Sequence, residues 1–187
     1  MSRSGIKTGW PVRLSDRGLV VARRTAAAYV AWDRATRRRR FVKHYTDAGA
    51  ARREFAALRA LPPHPCLVRA RGFFRRRGSG FIVMDYTPGP SLKELVRTTG
   101  PLPIPLAVRI AAQILKGLEA VHRAGYVHGD LHAGNVVVTD PRRGRIKIVD
   151  FQHAARKTKA GWAPSPRRID RPPLRLAPEL ARGVLDE

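Results

Sequence analysis

The chain has 187 residues, of which 43% are hydrophobic, and this is enough for a folded domain with a sizeable core. Its single cysteine, Cys66, excludes an internal disulfide framework and a thiolate metal cluster. No apolar run reaches the ~18–20 residues of a membrane span, and the N-terminus lacks the apolar stretch of a secretory signal, so we expect a cytoplasmic protein without a transmembrane segment.

The net charge of +23 is the unusual bulk property. A surface this basic attracts polyanions, so we expect nonspecific polyanion binding. The arginine runs at residues 37–40 and 75–77 are expected in hairpin turns. Aromatic residues that would stack on bases do not interleave with these runs, and the charge alone therefore does not indicate a dedicated nucleic-acid-binding protein.

The first half of the chain is predicted to be rich in strands. Strand-like runs occur at residues 19–22, 28–32, 40–45, 66–74 and 80–86. A helix is predicted over 47–61, because Asp47 can cap its N-terminus and Pro62-Pro63 cannot continue it.

Two helices and a hairpin are predicted next. Ser91 and Glu94 form a capping box that opens a short helix after the breaker "TPGP". From residue 105 to 123, apolar residues recur every three or four positions, and Gly125 follows as the expected helix end. The runs "VVVTD" and "RIKIVDF" bracket "PRRGR" and predict a hairpin, after which the chain is Pro- and Arg-rich to about residue 175.

The loop "YVHGDLHAGNVVV" lies between the long helix and this hairpin. It places His128, Asp130, His132 and Asn135 within eight residues, immediately before an apolar strand. His and Asp side chains are common metal ligands. The same spacing also suits a catalytic loop in which a carboxylate and an amide face a phosphate and its magnesium ion.

Several motifs then occur in a characteristic order. They are the strand "FVKHY", the helix "RREFAAL", the segment "FIVMDYTPGPSLKEL", the loop "HGDLHAGN", the strand end "IVDF" and, near the C-terminus, "LAPEL" at 176–180. Together they resemble the protein-kinase-like superfamily from about Leu14 to Glu179, particularly the bacterial Ser/Thr protein kinases. The resemblance implies an α+β bilobal fold, with an antiparallel sheet and one helix in the N-lobe and a partial, mainly helical C-lobe. The implied bounds are 1–86 for the N-lobe, 87–90 for the hinge and 91–187 for the C-lobe, with the catalytic loop at 128–135 and the activation segment at 150–179.

The resemblance also implies a role for each matching residue. Asp130 would orient the acceptor hydroxyl, with Lys43 and His132 as the other catalytic residues. Asn135 and Asp150 would bind Mg²⁺. The residues implied to hold ATP directly or indirectly are Lys43, its partner Glu54, the gatekeeper Met84, the backbones of Asp85 and Thr87, and Val137. The expected activity is an ATP- and magnesium-dependent phosphotransferase of the Ser/Thr protein kinase type.

Two alternatives remain open on the sequence alone. "HGDLHxGN" is also similar to aminoglycoside phosphotransferases and lipopolysaccharide kinases, which together with Gly129 and Gln152 favours a small-molecule hydroxyl acceptor over a protein. A pseudokinase scaffold is favoured by the missing glycine-rich phosphate loop and by Phe41, whose ring would lie over adenine. Helices that complete a kinase C-lobe are not found before Glu187, so a partner chain that completes this lobe is a further expectation.

Overall fold

The computed structural model describes residues 19–24, 27–158 and 161–162. Its contacts divide the chain into two units, one containing residues 1–51 and 71–86, the other containing residues 52–70 and 87–187. The predicted lobe bounds stay a prediction, since this division places the segment 52–70 with the second unit rather than the first.

The first unit is built on a five-stranded sheet. The sheet order is β1-β2-β3-β5-β4, and the register is antiparallel where β1 meets β2, β2 meets β3 and β3 meets β5. The elements up to residue 86 are β1 (Leu19–Arg24), β2 (Ala28–Asp33), β3 (Arg38–Tyr45), α1 (Ala48–Ala60), β4 (Ala70–Arg76) and β5 (Ser79–Asp85). The first unit includes α1 only as far as Ala51 and β4 from Arg71 onward. One face of the sheet buries an apolar cluster of Leu19, Tyr29, Ala31, Val42, Phe74 and Phe81.

The helix α1 begins where the sequence predicted. The carboxylate of Asp47 accepts hydrogen bonds from the backbone N–H groups of Gly49, at 2.7 Å, and Ala50, at 3.0 Å. These bonds satisfy donors that the first turn of a helix leaves unpaired. Ala48 also donates to the carbonyl of Gly78 at 3.0 Å, so the start of the helix is fixed to the β4–β5 turn.

The predicted position of the arginine runs was wrong in part. The turn after β2 contains residues 34–37, whereas Arg38, Arg39 and Arg40 belong to β3. Of the second run, Arg75 and Arg76 belong to β4. The predicted strand at 66–74 also begins later, at Ala70. Asp33 determines the first turn, since its carboxylate accepts hydrogen bonds from the backbone of the next residues, as Asp commonly does in turns.

The second unit contains helices and short strands. They are α2 (Leu92–Thr99), α3 (Ile104–Arg123), β6 (Tyr126–Val127), a 3₁₀ turn (Ala133–Asn135), β7 (Val136–Asp140), β8 (Arg145–Ile148), β9 (Ala155–Thr158) and β10 (Gly161–Trp162). The strands β7 and β8 form the predicted hairpin, and β6, β9 and β10 form a three-stranded sheet in the order β10-β9-β6. The predicted cap of α2 is confirmed, because Ser91 Oγ accepts a hydrogen bond from the Glu94 backbone N–H at 3.1 Å.

The hairpin β7–β8 is held on both sides. Gln113 of α3 donates to the carbonyl of Gly144 at 2.6 Å and accepts from the N–H of Ile146 at 3.3 Å. On the other side, Lys147 Nζ donates to the carbonyls of Pro65 and Leu67 at 3.0 and 2.9 Å. The loop that precedes β7 is therefore attached to a hairpin that hydrogen bonds connect to α3 and to residues 65–67.

Close packing against α1 gives a test of the first unit. A Cβ atom at Gly80 would lie 2.4 Å from the Cβ of Ala51 and 3.0 Å from the Cα of Ala48, whereas at Gly72 it would meet nothing within 4 Å. We expect Gly80→Ala to lower the free energy of unfolding by about 1–3 kcal/mol through overpacking. The matched change Gly72→Ala, also in a strand, should alter it by less than about 0.5 kcal/mol. Urea unfolding of both variants checks this, and equal effects of the two changes would contradict the packing.

Candidate active site

The polar loop folds around the neutral ring of His128. His128 Nδ1 accepts a hydrogen bond from the Asp130 backbone N–H at 3.2 Å. Because Nδ1 is an acceptor, the ring proton lies on Nε2, which donates to the carbonyl of Val149 at 3.1 Å. His128 is 2% exposed, and its ring also packs on Phe151 with centroids 4.6 Å apart. The interpretation of His128 as a packed and hydrogen-bonded residue rather than a metal ligand agrees with these contacts.

Asp130 and Asn135 form the buried centre of the loop. They are 7% and 8% exposed, and Asn135 Nδ2 donates to the carbonyl of Asp130 at 2.9 Å. This bond uses the amide nitrogen of Asn135, which leaves Oδ1 as the atom suited to a metal ion. The backbone of Asn135 also accepts from the N–H of Val149 at 2.9 Å, which joins the loop to the segment before Asp150.

His132 directs its second ring nitrogen toward Asp130. Its Nδ1 accepts from the Gly134 N–H at 2.9 Å, so its proton lies on Nε2 in the neutral ring. Nε2 is 3.5 Å from Asp130 Oδ1. A Cβ at Gly134 would lie 2.7 Å from the His132 ring, so the small residue at 134 makes room for this geometry.

Asp150 has an uncommon backbone conformation, with φ of 65°. Residues other than glycine rarely adopt positive φ, although Asp and Asn tolerate it better than most. The Asp150 carboxylate accepts from the Gln152 N–H at 3.4 Å, a local contact that supports the turn. Strained residues of this kind cluster at functional sites.

Glu54 anchors the residue after Asp150. Its Oε1 accepts from the Phe151 N–H at 3.0 Å, and the side chain is 1% exposed. A charged group this deeply buried is uncommon unless it is paired or hydrogen-bonded. The predicted pairing of Glu54 with Lys43 stays a prediction.

The other predicted nucleotide residues occupy separate elements. Lys43 lies in β3, with Nζ 5.1 Å from the ring centroid of Tyr45, and Met84 of β5 is 4% exposed. Val137 of β7 is half-buried and forms an isolated bridge with Ser91. The predicted contacts of Met84, Asp85, Thr87 and Val137 with a nucleotide stay predictions. The motif "LAPEL" and the later part of the predicted activation segment lie outside the described residues.

A charge network at the end of β5 could not be found from the sequence. Arg40 pairs with the carboxylates of Asp33, at 3.1 Å, and of Asp85, and its side chain is only 7% exposed. Arg71 binds the same Asp85 with two hydrogen bonds, at 2.8 and 2.6 Å, and these bonds raise the pKa of the guanidinium. Two of the many basic side chains, Arg40 and Arg71, are therefore paired with carboxylates inside the first unit.

The donor chemistry agrees with magnesium. Asp150 supplies a carboxylate and Asn135 an amide oxygen, both hard oxygen ligands of the kind that Mg²⁺ binds. Among the described residues, no cluster of three or more His, Cys, Asp or Glu side chains is suited to hold a metal ion.

The protein kinase domain family matches residues 20–179. The chain belongs to this family. Among curated proteins it is 42% identical over 121 residues to a cyclin-dependent kinase F-2 of Oryza sativa subsp. japonica, which covers 60% of this chain and 36% of the relative. It is 30% identical over 117 residues to mitogen-activated protein kinase kinase kinase 3 of Arabidopsis thaliana, covering 63% and 18%. A serine/threonine-protein kinase of Clostridium perfringens is 37% identical over 71 residues, covering 38% and 10%.

The chain thus spans about a third or less of the length of these relatives. The family membership confirms the predicted α+β kinase fold, and the relatives confirm the resemblance to Ser/Thr protein kinases. In the part of the chain that the structure describes, no helix is long and apolar enough to cross a membrane.

Because the ring of His128 is buried and neutral, we expect the stability of the fold to decrease in acid. Burial lowers the pKa of His128 below its ordinary value of about 6.5. The unfolded chain therefore binds more protons, and the stability present above pH ~6.5 is lost as the pH falls below that value. We expect the melting temperature to fall between pH 7.5 and 5.5, and to fall less steeply in His128→Asn.

The residual slope in His128→Asn would come in part from His44, whose pKa burial also lowers. His122→Ala is the control, because this exposed residue of α3 should leave the slope unchanged. Identical pH slopes for the wild type and His128→Asn would contradict the neutral, buried ring.

Proposed function

We propose that the chain is an ATP- and magnesium-dependent phosphotransferase of the Ser/Thr protein kinase type, with a protein hydroxyl as acceptor. The observation that carries this proposal is the loop geometry. A buried Asp130 has its backbone N–H bound to His128, its carbonyl bound to Asn135 and its carboxylate facing His132. Phosphoryl transfer depends on such positioning and on charge neutralisation more than on covalent chemistry.

Each residue of the loop has a separate task in this proposal. Asp130 orients the acceptor hydroxyl and accepts its proton. His132 presents its Nε2–H beside Asp130 Oδ1 and limits the rotation of the carboxylate. Asn135 and Asp150 hold Mg²⁺, which supplies charge neutralisation at the phosphates when bound.

The proposal assigns Lys43 to the ATP phosphates, where a lysine acts as a point positive charge. Met84 and the backbones of Asp85 and Thr87, with Val137, are assigned to the adenine. The side chain of Asp85 is occupied by Arg40 and Arg71, which is compatible with recognition through its backbone alone. The assignment places the charged contacts on the phosphates and the apolar contacts on the base.

The metal assignment is tested with Asp150. Without this carboxylate, we expect ATP to stabilise the protein equally with and without magnesium, whereas in the wild type magnesium should increase the thermal shift. We choose Asp150→Asn for this test, since Asn tolerates the positive φ at this position better than most other residues do. Asp140→Asn, at the end of β7, is the matched control. A magnesium-dependent shift that survives in Asp150→Asn would contradict the assignment.

The phosphate assignment is tested with Lys43. Lys43→Met should lower the melting temperature of the free protein, because it removes the predicted cation partner of a carboxylate, Glu54, that is only 1% exposed. It should lower phosphoryl transfer by about 10²-fold or more, since a positioned charge on the phosphates is lost. Lys116→Met, on the exposed side of α3, is the control.

The same experiment separates an enzyme from a scaffold. A scaffold would lose stability or partner binding in Lys43→Met, with no transfer activity to lose. A wild type that transfers no phosphate to protein substrates or to itself, with magnesium or manganese present, would overturn the proposed function.

A further inference from the structure

A second imidazole lies beside the carboxylate of Asp130. His153 belongs to the turn between Phe151 and β9, and it is 8% exposed. Its Nε2 is 4.0 Å from Asp130 Oδ2, while His132 Nε2 is 3.5 Å from Asp130 Oδ1. The two carboxylate oxygens of Asp130 therefore each face a different histidine ring.

The backbone brings His153 to this position. Gly129, with φ of 70°, lies so close to the turn that a Cβ there would be 2.2 Å from the carbonyl oxygen of His153. The strand β9 continues the contact, because Ala155 pairs with Val127 of β6 in antiparallel register. Any side chain at 129 would therefore have to move the turn that carries His153 away from the catalytic loop.

The ring of His153 also has a neighbour that fixes its plane. Gln152 Nε2 lies 3.2 Å from His153 Nε2, within hydrogen-bond distance in either ring tautomer once the amide is oriented accordingly. Ala154 donates to the carbonyl of Phe151 at 3.0 Å and closes the turn. The position of the imidazole beside Asp130 is thus supported by contacts within its own turn.

We propose that His153 is a positioning residue for Asp130 and that Gly129 is the residue that lets it approach. This rests on the proposed function, in which Asp130 orients the acceptor hydroxyl. The final torsion of an Asp side chain is soft, so a carboxylate without neighbours samples a broad range of orientations. The separation of 4.0 Å is longer than a hydrogen bond, and His153 therefore limits this rotation by packing against the carboxylate.

The kinetic test compares two changes at His153. His153→Ala should lower kcat by about 10–100-fold, the cost of a misplaced catalytic group, while KM for ATP changes less than about threefold. His153→Gln, which keeps a planar polar group of similar reach, should recover part of kcat. A purely structural role would instead change the melting temperature without this rescue. His122→Ala removes an imidazole from the exposed side of α3 and should leave kcat unchanged.

A second measurement does not depend on activity or on a His153 variant. In ¹⁵N-histidine-labelled protein, Asp130→Asn removes the charge beside the ring and should change the ring ¹⁵N shifts of His153. Asp140→Asn should leave them unchanged. Gly129→Ala should also change them, because the added Cβ displaces the turn.

The outcomes distinguish this inference from the proposed function. A wild type without phosphoryl transfer overturns the proposed function, and the ring shifts then decide alone whether His153 senses Asp130. Unchanged His153 shifts in Asp130→Asn would overturn the inference even in an active enzyme. Wild-type kcat in a folded His153→Ala would overturn it as well.

Discussion

The arrangement of the second unit depends on one neutral imidazole. His128 accepts a hydrogen bond from the N–H of Asp130 at one ring nitrogen and donates to the carbonyl of Val149 at the other. The residue after Val149 is Asp150, so a single buried ring fixes the backbone beside both carboxylates. The neutral ring can make both contacts at once, because it carries one donor and one acceptor nitrogen. Protonation would replace the acceptor with a second donor, facing the N–H of Asp130.

Two glycines then allow backbone segments to meet at distances that other residues forbid. A Cβ at Gly89 would lie 2.1 Å from the carbonyl oxygen of Val138, and Pro90 next to it accepts a hydrogen bond from the N–H of Val138 at 2.9 Å. This contact holds the predicted hinge segment on β7. Gly129 plays the same part between the catalytic loop and the turn at His153. Both glycines have positive φ, so the backbone conformation and the lack of space each require glycine at these two positions.

Local features of the fold could be predicted from the sequence, and long-range ones could not. The caps at Asp47 and Ser91 involve residues two or three positions apart, and both were found correctly. The predicted position of the arginine runs was wrong because basic side chains do not end a strand. The carboxylate of Asp33 sets the first turn, and strand pairing extends through Arg38, Arg39 and Arg40. The approach of His153 to Asp130 joins positions 23 residues apart, and no periodicity or spacing marks it.

Under the proposed function, residue 132 matters because the two ring nitrogens of His132 have different neighbours. Ser/Thr protein kinases usually carry lysine at this position, which supplies a permanent positive charge. In His132 the Nδ1 atom is occupied by the N–H of Gly134, so only Nε2 faces Asp130. His132 therefore offers Asp130 one oriented donor, at Nε2. Under the proposed function, the loop orients the carboxylate of Asp130, while Lys43 and the Mg²⁺ held by Asn135 and Asp150 would neutralise the charge of the phosphates.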